Sequence, residues 1–404
     1  MKPTRSLKTF FVQLLKPHRW WVVAIAITGT YWAINNSLSP YVLKLIIDKV
    51  VGFQGTRADV FIATLPLVLI YLGLWVLIAI DMRYLDYIRL KLFPKIRHDI
   101  INAMFSYLNK HSHRYFQNNF TGSLSNKISD MISGFTAIFN ILDEAFVQLI
   151  SLVIAMVMMC FVSPVFAYIL VGWTIIFMII TFYFIKPVQR LSYIFAASKT
   201  TLMGKIVDSV SNVTNIRLFS TNTYENELIS DAAMTTIHKD RKMQFYILKM
   251  RILWDISVIV LIALDLYALL VMYSKNLVSI GDFTFIISLS ISMFSNLWYL
   301  ASQFVSFAEE LGKCSQALTI MAEPHDIPDP TDAPILKVHQ GKIEFKNVSF
   351  HYDAANHLFK NKNICIAPGQ KVGLVGTSGS GKSTFVNLIL RLFDVESGEI
   401  TIDD

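Results

Sequence analysis

The sequence predicts an α-helical membrane protein of six transmembrane helices with long cytoplasmic hairpins, followed by the start of a smaller α/β domain. Three observations predict it: six apolar runs long enough to cross a bilayer, two basic segments of helical periodicity between them, and a glycine-rich loop at a strand-to-helix turn near residue 380. With 54% hydrophobic and 16% charged residues, the 404-residue chain cannot carry the surface of an ordinary soluble globule.

The apolar runs are Trp20 to Ile47, Val60 to Ile80, Ala145 to Val162, Val165 to Ile185, Ile252 to Tyr273 and Phe283 to Val305. Each is long enough for a hydrocarbon layer of about 30 Å. The first is interrupted by Asn35, Asn36, Ser37 and Pro40, although Trp20 to Ile34 is apolar. Because that first run is too long for a signal peptide and no small-residue cleavage site follows it, the N-terminus is expected to be retained.

Basic residues set the expected orientation. Lys2, Arg5, Lys8, Lys16 and Arg19 precede the first span, Arg83 to Glu144 holds eight Lys and Arg, and Lys186 to Arg251 holds ten. These segments, and the N-terminus with them, are expected on the cytoplasmic side. The opposite connections carry few basic residues: Lys49 and Arg57 in Asp48 to Asp59, none in Ser163 and Pro164, and Lys275 in Ser274 to Asp282. The net charge of +7 is therefore a topology signal, and no nucleic-acid partner is expected.

The two long cytoplasmic segments are 62 and 66 residues, and both read as helical hairpins. Arms of about 25 to 30 residues would carry the chain roughly 40 Å below the membrane. Turns are expected around Tyr115 to Gly122 and around Val210 to Phe219, where Asn, Thr, Ser and Gly interrupt the apolar period. Past the sixth span, Glu323 to Pro334 contains Pro324, Pro328, Pro330 and Pro334, a composition that stops a helix and separates domains. The expected division is a membrane domain over 1–322, a linker over 323–340 and a soluble part over 341–404. Cys160, Cys314 and Cys365 are odd in number and widely spaced, so no disulfide or metal framework is expected from them.

In the soluble part, Gly341 to Tyr352 alternates apolar and polar residues and reads as a strand, as do Ile364 to Ile366 and Glu399 to Ile402. Lys371 to Val375 reads as a short buried strand. It runs into Gly376, Thr377, Ser378, Gly379, Ser380, Gly381, Lys382 and Ser383, and then into a helix expected over Ser383 to Phe393. That spacing occurs by chance in about one chain in a hundred of this length. It marks the start of an α/β P-loop nucleotide-binding domain: glycines let backbone N–H groups approach phosphate oxygens, Lys382 reaches the β and γ phosphates, and the Ser383 hydroxyl completes the shell of a Mg²⁺ ion. The expected nucleotide-binding residues are Gly376, Ser378, Gly379, Ser380, Gly381, Lys382, Ser383 and Thr384, with Ser383 also the metal ligand. The expected cofactors are ATP and Mg²⁺.

Together these features resemble a half-transporter of the ATP-binding-cassette exporter family, in the branch of bacterial lipid and multidrug exporters. Tyr115, Phe116, Thr121, Gly122 and Asp130 resemble the family's first coupling region, and Asn215 to Phe219 the second. Ser397, Gly398, Glu399 and Ile400 resemble the stretch after the first cassette helix. By this resemblance Tyr352 stacks on adenine, the alternative being plain core packing of an aromatic at a strand end. The resemblance implies ATP-driven export by a homo- or heterodimer in a bacterial inner membrane, with a small-molecule, lipid or peptide substrate. The family's glutamine loop, signature motif, second acidic motif and switch His are absent from the 404 residues, which puts ATPase activity in question. The other reading is a truncated membrane protein that neither hydrolyses ATP nor transports by itself, as a gene relic or one part of a split transporter; a membrane receptor with a regulatory P-loop domain explains the hairpins poorly. Asp265, inside the fifth span, reads equally as a cavity carboxylate or as an interhelical hydrogen-bond partner, and at helical rise it shares a layer with Asn35 and Asn36.

Overall fold

The computed structural model describes residues 6–57, 59–119, 121–327, 336–352 and 357–403; most of the expected linker prolines lie outside these. In chain order the helices are α1 (Leu7–Leu15), α2 (Arg19–Val51), α3 (Asp59–Leu108), α4 (His113–Asn118), α5 (Thr121–Val162), α6 (Pro164–Ser211), α7 (Val213–Leu218), α8 (Asn222–Ser274), α9 (Ile280–Ala317), α10 (Thr319–Ala322) and α11 (Lys382–Ile389). The strands are β1 (Ile343–His351), β2 (His357–Ile366) and β3 (Ser397–Ile402). The chain divides into two compact units: His18–Leu92 with Ala137–Glu309, and Met1–Pro17 with Phe93–Thr136 and Glu310–Asp404.

Among the described residues, α3, α5, α6, α8 and α9 are long and apolar enough to cross a membrane. The 33-residue α2 covers the first expected span but falls short of that apolarity. Three of its hydroxyls bond within the helix: Thr28 donates to the Ile25 carbonyl at 2.8 Å, Thr30 to Ala26 at 2.7 Å, and Ser39 to Asn35 Oδ1 at 3.3 Å. Such local bonds let a helix carry polar side chains where water is scarce. Large apolar side chains are exposed along the long helices, among them Phe61, Ile62, Ile179, Phe182 and Ile259, as expected where lipid is the solvent.

Helices α6 and α8 are joined by a reciprocal exchange of indole hydrogen bonds. Trp173 of α6 donates Nε1–H to Ser257 Oγ of α8 at 3.2 Å, and Trp254 of α8 donates Nε1–H to Thr181 Oγ1 of α6 at 3.2 Å. Phe177 stacks on Trp254 between them, with ring centroids 5.1 Å apart. Each indole thus places its large apolar area in the core while its one polar atom finds a hydroxyl on the opposite helix. Asp265 is 1% exposed and accepts from Ser290 Oγ of α9 at 2.6 Å, which gives it the interhelical role. Asn35 and Asn36 line a cavity of about 650 Å³ with Trp32, Trp75 and Arg83.

The hairpin turns fall where the sequence places them, within 109–119 and 212–221. At the first, Ser112 caps α4 by accepting from the Tyr115 amide. Buried His111 stacks on Tyr115 with centroids 3.9 Å apart. Its Nε2 lies 3.2 Å from the Ile320 carbonyl. Burial, with the nearby His325, holds the His111 imidazole below its ordinary pKa; the bond to Ile320 and the Glu323 and Asp326 carboxylates oppose this.

The soluble segment forms an antiparallel sheet in the order β2-β1-β3. Apolar residues at 343, 345, 348 and 350 break strict alternation by one position. A register shift between Phe345 and Val348 absorbs the extra residue, with Asn347 at φ 50°, so that Phe345, Val348 and Phe350 are all buried. Helix α11 packs on this sheet through Phe385, stacked on Phe345 with centroids 4.5 Å apart, and through Leu388 beside Phe350 and Phe393.

Two expectations here are corrected. Lys371 to Val375 is not a strand: it pairs with none of the three, and Val375 is 94% exposed. A short apolar run becomes a buried strand only when neighbours pair with it and cover its faces, and no described residues do so. Helix α11 begins at Lys382 but ends at Ile389, short of Phe393. Arg391 adopts φ 51°, and the Leu392 N–H bonds the Asn387 carbonyl while the Arg391 N–H bonds the Leu388 carbonyl. This left-handed termination closes the helix and returns the chain towards β3.

Candidate nucleotide site

The phosphate loop is built between the unpaired segment 371–375 and the first turn of α11. Gly379 has φ 82° and Gly381, the residue before the helix, φ 91°. A side chain at Gly381 would be strained at this φ and would press on the Phe359 ring, 3.1 Å from an added Cβ. Gly376 and Ser378 are exposed on the same loop, and the Ser380 N–H closes it by donating to the Thr377 carbonyl at 3.2 Å.

Lys382 folds back over its own loop. Its ammonium donates to the carbonyls of Gly376 at 3.0 Å and Thr377 at 2.8 Å, and to Ser380 Oγ at 3.4 Å. The charge is held by neutral acceptors, over the positive end of a helix whose first residue is Lys382 itself. An anion placed there would meet the ammonium, the loop amides and the helix terminus together. Ser383 is exposed and available to a cation, whereas Thr384 is buried.

Tyr352 comes to this loop from the end of β1. Its hydroxyl lies 3.0 Å from Thr384 Oγ1, and its ring meets Phe350 and Phe393 edge-on with centroids 5.0 and 5.2 Å away. It is 41% exposed, so one part of the ring packs and another is open. With His351, Phe393 and Glu396 it lines a cleft of about 430 Å³ that Ser112, Arg114 and Asp326 also line.

The first hairpin turn touches this region through residues the sequence reading did not select. Arg114 donates to the Tyr352 carbonyl at 3.3 Å, Ser112 donates to Asp326 at 2.9 Å, and the His113 ring meets Phe393 with centroids 5.8 Å apart. Tyr115, by contrast, is buried against His111, while Gly122 and Asp130 are exposed on α5. The available signal was the serine N-cap, which marks where α4 begins and so which side chains its first turn presents.

Membrane-spanning helices and a glycine-rich phosphate loop thus occur in one chain. The family model described as ABC transporter transmembrane region matches residues 22–297, more than half of the chain, and that described as ABC transporter matches 359–404. The chain belongs to the ATP-binding-cassette transporter family and is a multi-pass membrane protein carrying part of a nucleotide-binding domain.

Among its relatives, a putative multidrug export ATP-binding/permease protein of Staphylococcus aureus is 24% identical over 403 residues, covering 97% of this chain and 69% of that protein. An uncharacterized ABC transporter ATP-binding protein of Haemophilus influenzae is 27% identical over 295 residues, 72% of this chain and 47% of the relative. The heavy metal tolerance protein of Schizosaccharomyces pombe is 31% identical over 201 residues, 49% of this chain and 24% of the relative. The chain thus spans about half or less of the length of the last two. In fold it matches the structure of a bacterial Atm1-family ABC exporter with ATP bound, with a TM-score of 0.75 and 20% identity over 95% of this chain and 68% of that one.

Proposed function

We propose that the chain is an exporter-type half-transporter that binds ATP at the phosphate loop and works as a dimer. The observation that carries the reading is Lys382, whose ammonium sits over its own loop on carbonyl and hydroxyl oxygens at 2.8 to 3.4 Å. Phosphate oxygens would take the place of those neutral acceptors. Gly376, Ser378, Gly379, Ser380 and Gly381 would supply the backbone cradle, Thr384 would hold the turn, and Tyr352 would offer its open ring area to the base. The exposed Ser383 hydroxyl would complete the shell of a Mg²⁺ ion, which when bound supplies charge neutralisation between the β and γ phosphates.

The domain division proposed is membrane domain 1–322, linker 323–340 and nucleotide-binding part 341–404. The second hairpin tip, α7 with exposed Leu218 and Phe219, supports a second half-transporter as partner. The cavity lined by Trp32, Asn35, Asn36 and Trp75 combines aromatic and amide surface suited to a small-molecule, lipid or peptide substrate. The basic segments support a cell-membrane orientation, in a bacterial inner membrane, with the N-terminus and phosphate loop in the cytoplasm.

The test is photolabelling of the purified chain with an azido-ATP analogue. Labelling should be competed by ATP and lost in Lys382→Ala, since the phosphates then lose their nearest cation. Labelling that survives this substitution unchanged would place nucleotide binding elsewhere.

A further inference from the structure

At the other edge of the cleft, the sheet gathers three side chains with metal-ligating atoms. His351 closes β1 and His357 opens β2, and the two are directly paired across the antiparallel ladder, so their side chains leave the same face. Glu396 is held beside them because its N–H donates to the Ser349 carbonyl at 2.9 Å, one residue before β3 begins. Its Oε2 lies 3.6 Å from His351 Nδ1 and 3.4 Å from His357 Nδ1.

We propose that His351, His357 and Glu396 form a transition-metal site of the Zn²⁺ type. Bonds of about 2.0 to 2.1 Å at tetrahedral angles put ligand atoms about 3.3 to 3.4 Å apart, and both nitrogen-to-carboxylate separations are already close to that edge. The ligand atoms of all three residues lie within 4.8 Å of one another, so rotation of the exposed His357 and Glu396 side chains can close the remaining edge. His351 Nδ1 is shielded from solvent and has no hydrogen-bond partner, a nitrogen lone pair or N–H left unsatisfied at the centre of the cluster. Two imidazoles and one carboxylate match a borderline cation, and the exposure of two of the three ligands leaves room for water in the fourth position.

The consequence reaches the nucleotide site. Tyr352 directly follows His351, so an ion bound to both strands would hold together the strand ends beside which Tyr352 stands. That link rests on the proposed role of Tyr352, whereas the metal site itself does not.

The experiment is Co²⁺ titration of the purified full chain in lipid nanodiscs after removal of metal by a chelator. The expected result is the intense visible absorption of tetrahedral Co²⁺, displaced by Zn²⁺, with about one equivalent bound per chain. His357→Ala and Glu396→Gln should each weaken binding by more than about 100-fold, since losing a ligand exceeds the effect of disturbing an outer-sphere partner. His357→Cys should restore binding and add a sulfur-to-cobalt charge-transfer band, which shows that the altered strand still folds. Absence of the tetrahedral spectrum in the unaltered chain, its survival in His357→Ala, or a His357→Cys chain without the new band would each overturn the site. Acidification should release the ion, because the ligands bind in their deprotonated forms.

Discussion

The Tyr352 hydroxyl and Thr384 Oγ1 lie 3.0 Å apart, linking the end of β1 to the first turn of α11 across 32 residues of sequence. One side chain is proposed to meet the base and the other stands next to the phosphate loop, so under that proposal their contact would set the spacing between the two ends of a bound nucleotide. Tyr352→Phe should weaken competition by a fluorescent ATP analogue by about fivefold, the worth of one net hydrogen bond of about 1 kcal/mol. Tyr352→Ala should cost a further 1 to 3 kcal/mol or so from lost base stacking. Equal affinities for the two variants would remove the ring from the site.

Orientation can be read with single cysteines in a chain whose Cys160, Cys314 and Cys365 are replaced. Ser274 ends α8 and Gly55 lies between α2 and α3, while Asn119 follows α4 and Asn222 begins α8. Cysteines at the first two positions should react with an impermeant maleimide on intact cells, and cysteines at the last two only after permeabilisation. The reverse pattern would invert the topology and place the phosphate loop outside.

Gly134 of α5 packs directly on Cys314 of α9. A Cβ at Gly134 would overlap Cys314 Sγ, and the thiol is fully buried. Gly134→Ala should therefore lower stability by about 1 to 3 kcal/mol through overpacking. Cys314→Ala in the same chain should return part of that loss, a coupling that a double-mutant cycle of thermal unfolding measures. The buried Cys314 thiol is closed to reagents in solution, so the folded chain should leave it unreactive towards maleimide at neutral pH.

The first hairpin turn should loosen in acid. Because the folded His111 titrates below its ordinary value of about 6.5, the unfolded turn binds more protons in that range. The stabilisation is fully present above about pH 6.5 and is lost as pH falls through the folded value. Hydrogen exchange of amides in 109–119 and 318–322 should accelerate over that window, and His111→Gln should flatten the dependence. An unaltered pH profile in the variant would rule out His111 as the source of the effect.

The membrane part was legible because lipid leaves an unmistakable trace: a helix whose outer face contacts hydrocarbon cannot alternate with charge, so α3, α5, α6, α8 and α9 appear as long apolar runs. The hairpin turns were equally plain, since Asn, Ser and Gly interrupt those helices near 119 and 212. What was not legible depends on partners. Lys371 to Val375 has the composition of a buried strand, yet strand formation is decided by neighbours rather than by the run itself. The stop at Ile389 was hidden because Arg391, neither Gly nor Asn, takes the left-handed conformation. Of the nucleotide site, the loop residues were evident from spacing, but the contact of Arg114 with Tyr352 joins residues 238 apart in sequence, which no local pattern records. The meeting of His351, His357 and Glu396 required the register of the sheet.

The 53 residues of α8 form one helix from the second hairpin tip to the end of the fifth span, and its indole exchange with α6 binds the two into a stiff pair. At 1.5 Å per residue such a rod is about 80 Å long, so a tilt of about 5° displaces its far end by about 7 Å. Seen from the tip, the same ratio works in reverse: a push of 1 Å on Leu218 or Phe219 turns the rod by less than about 1°. Anything that turned this rod from its tip by a few degrees would therefore have to move the tip by several ångströms.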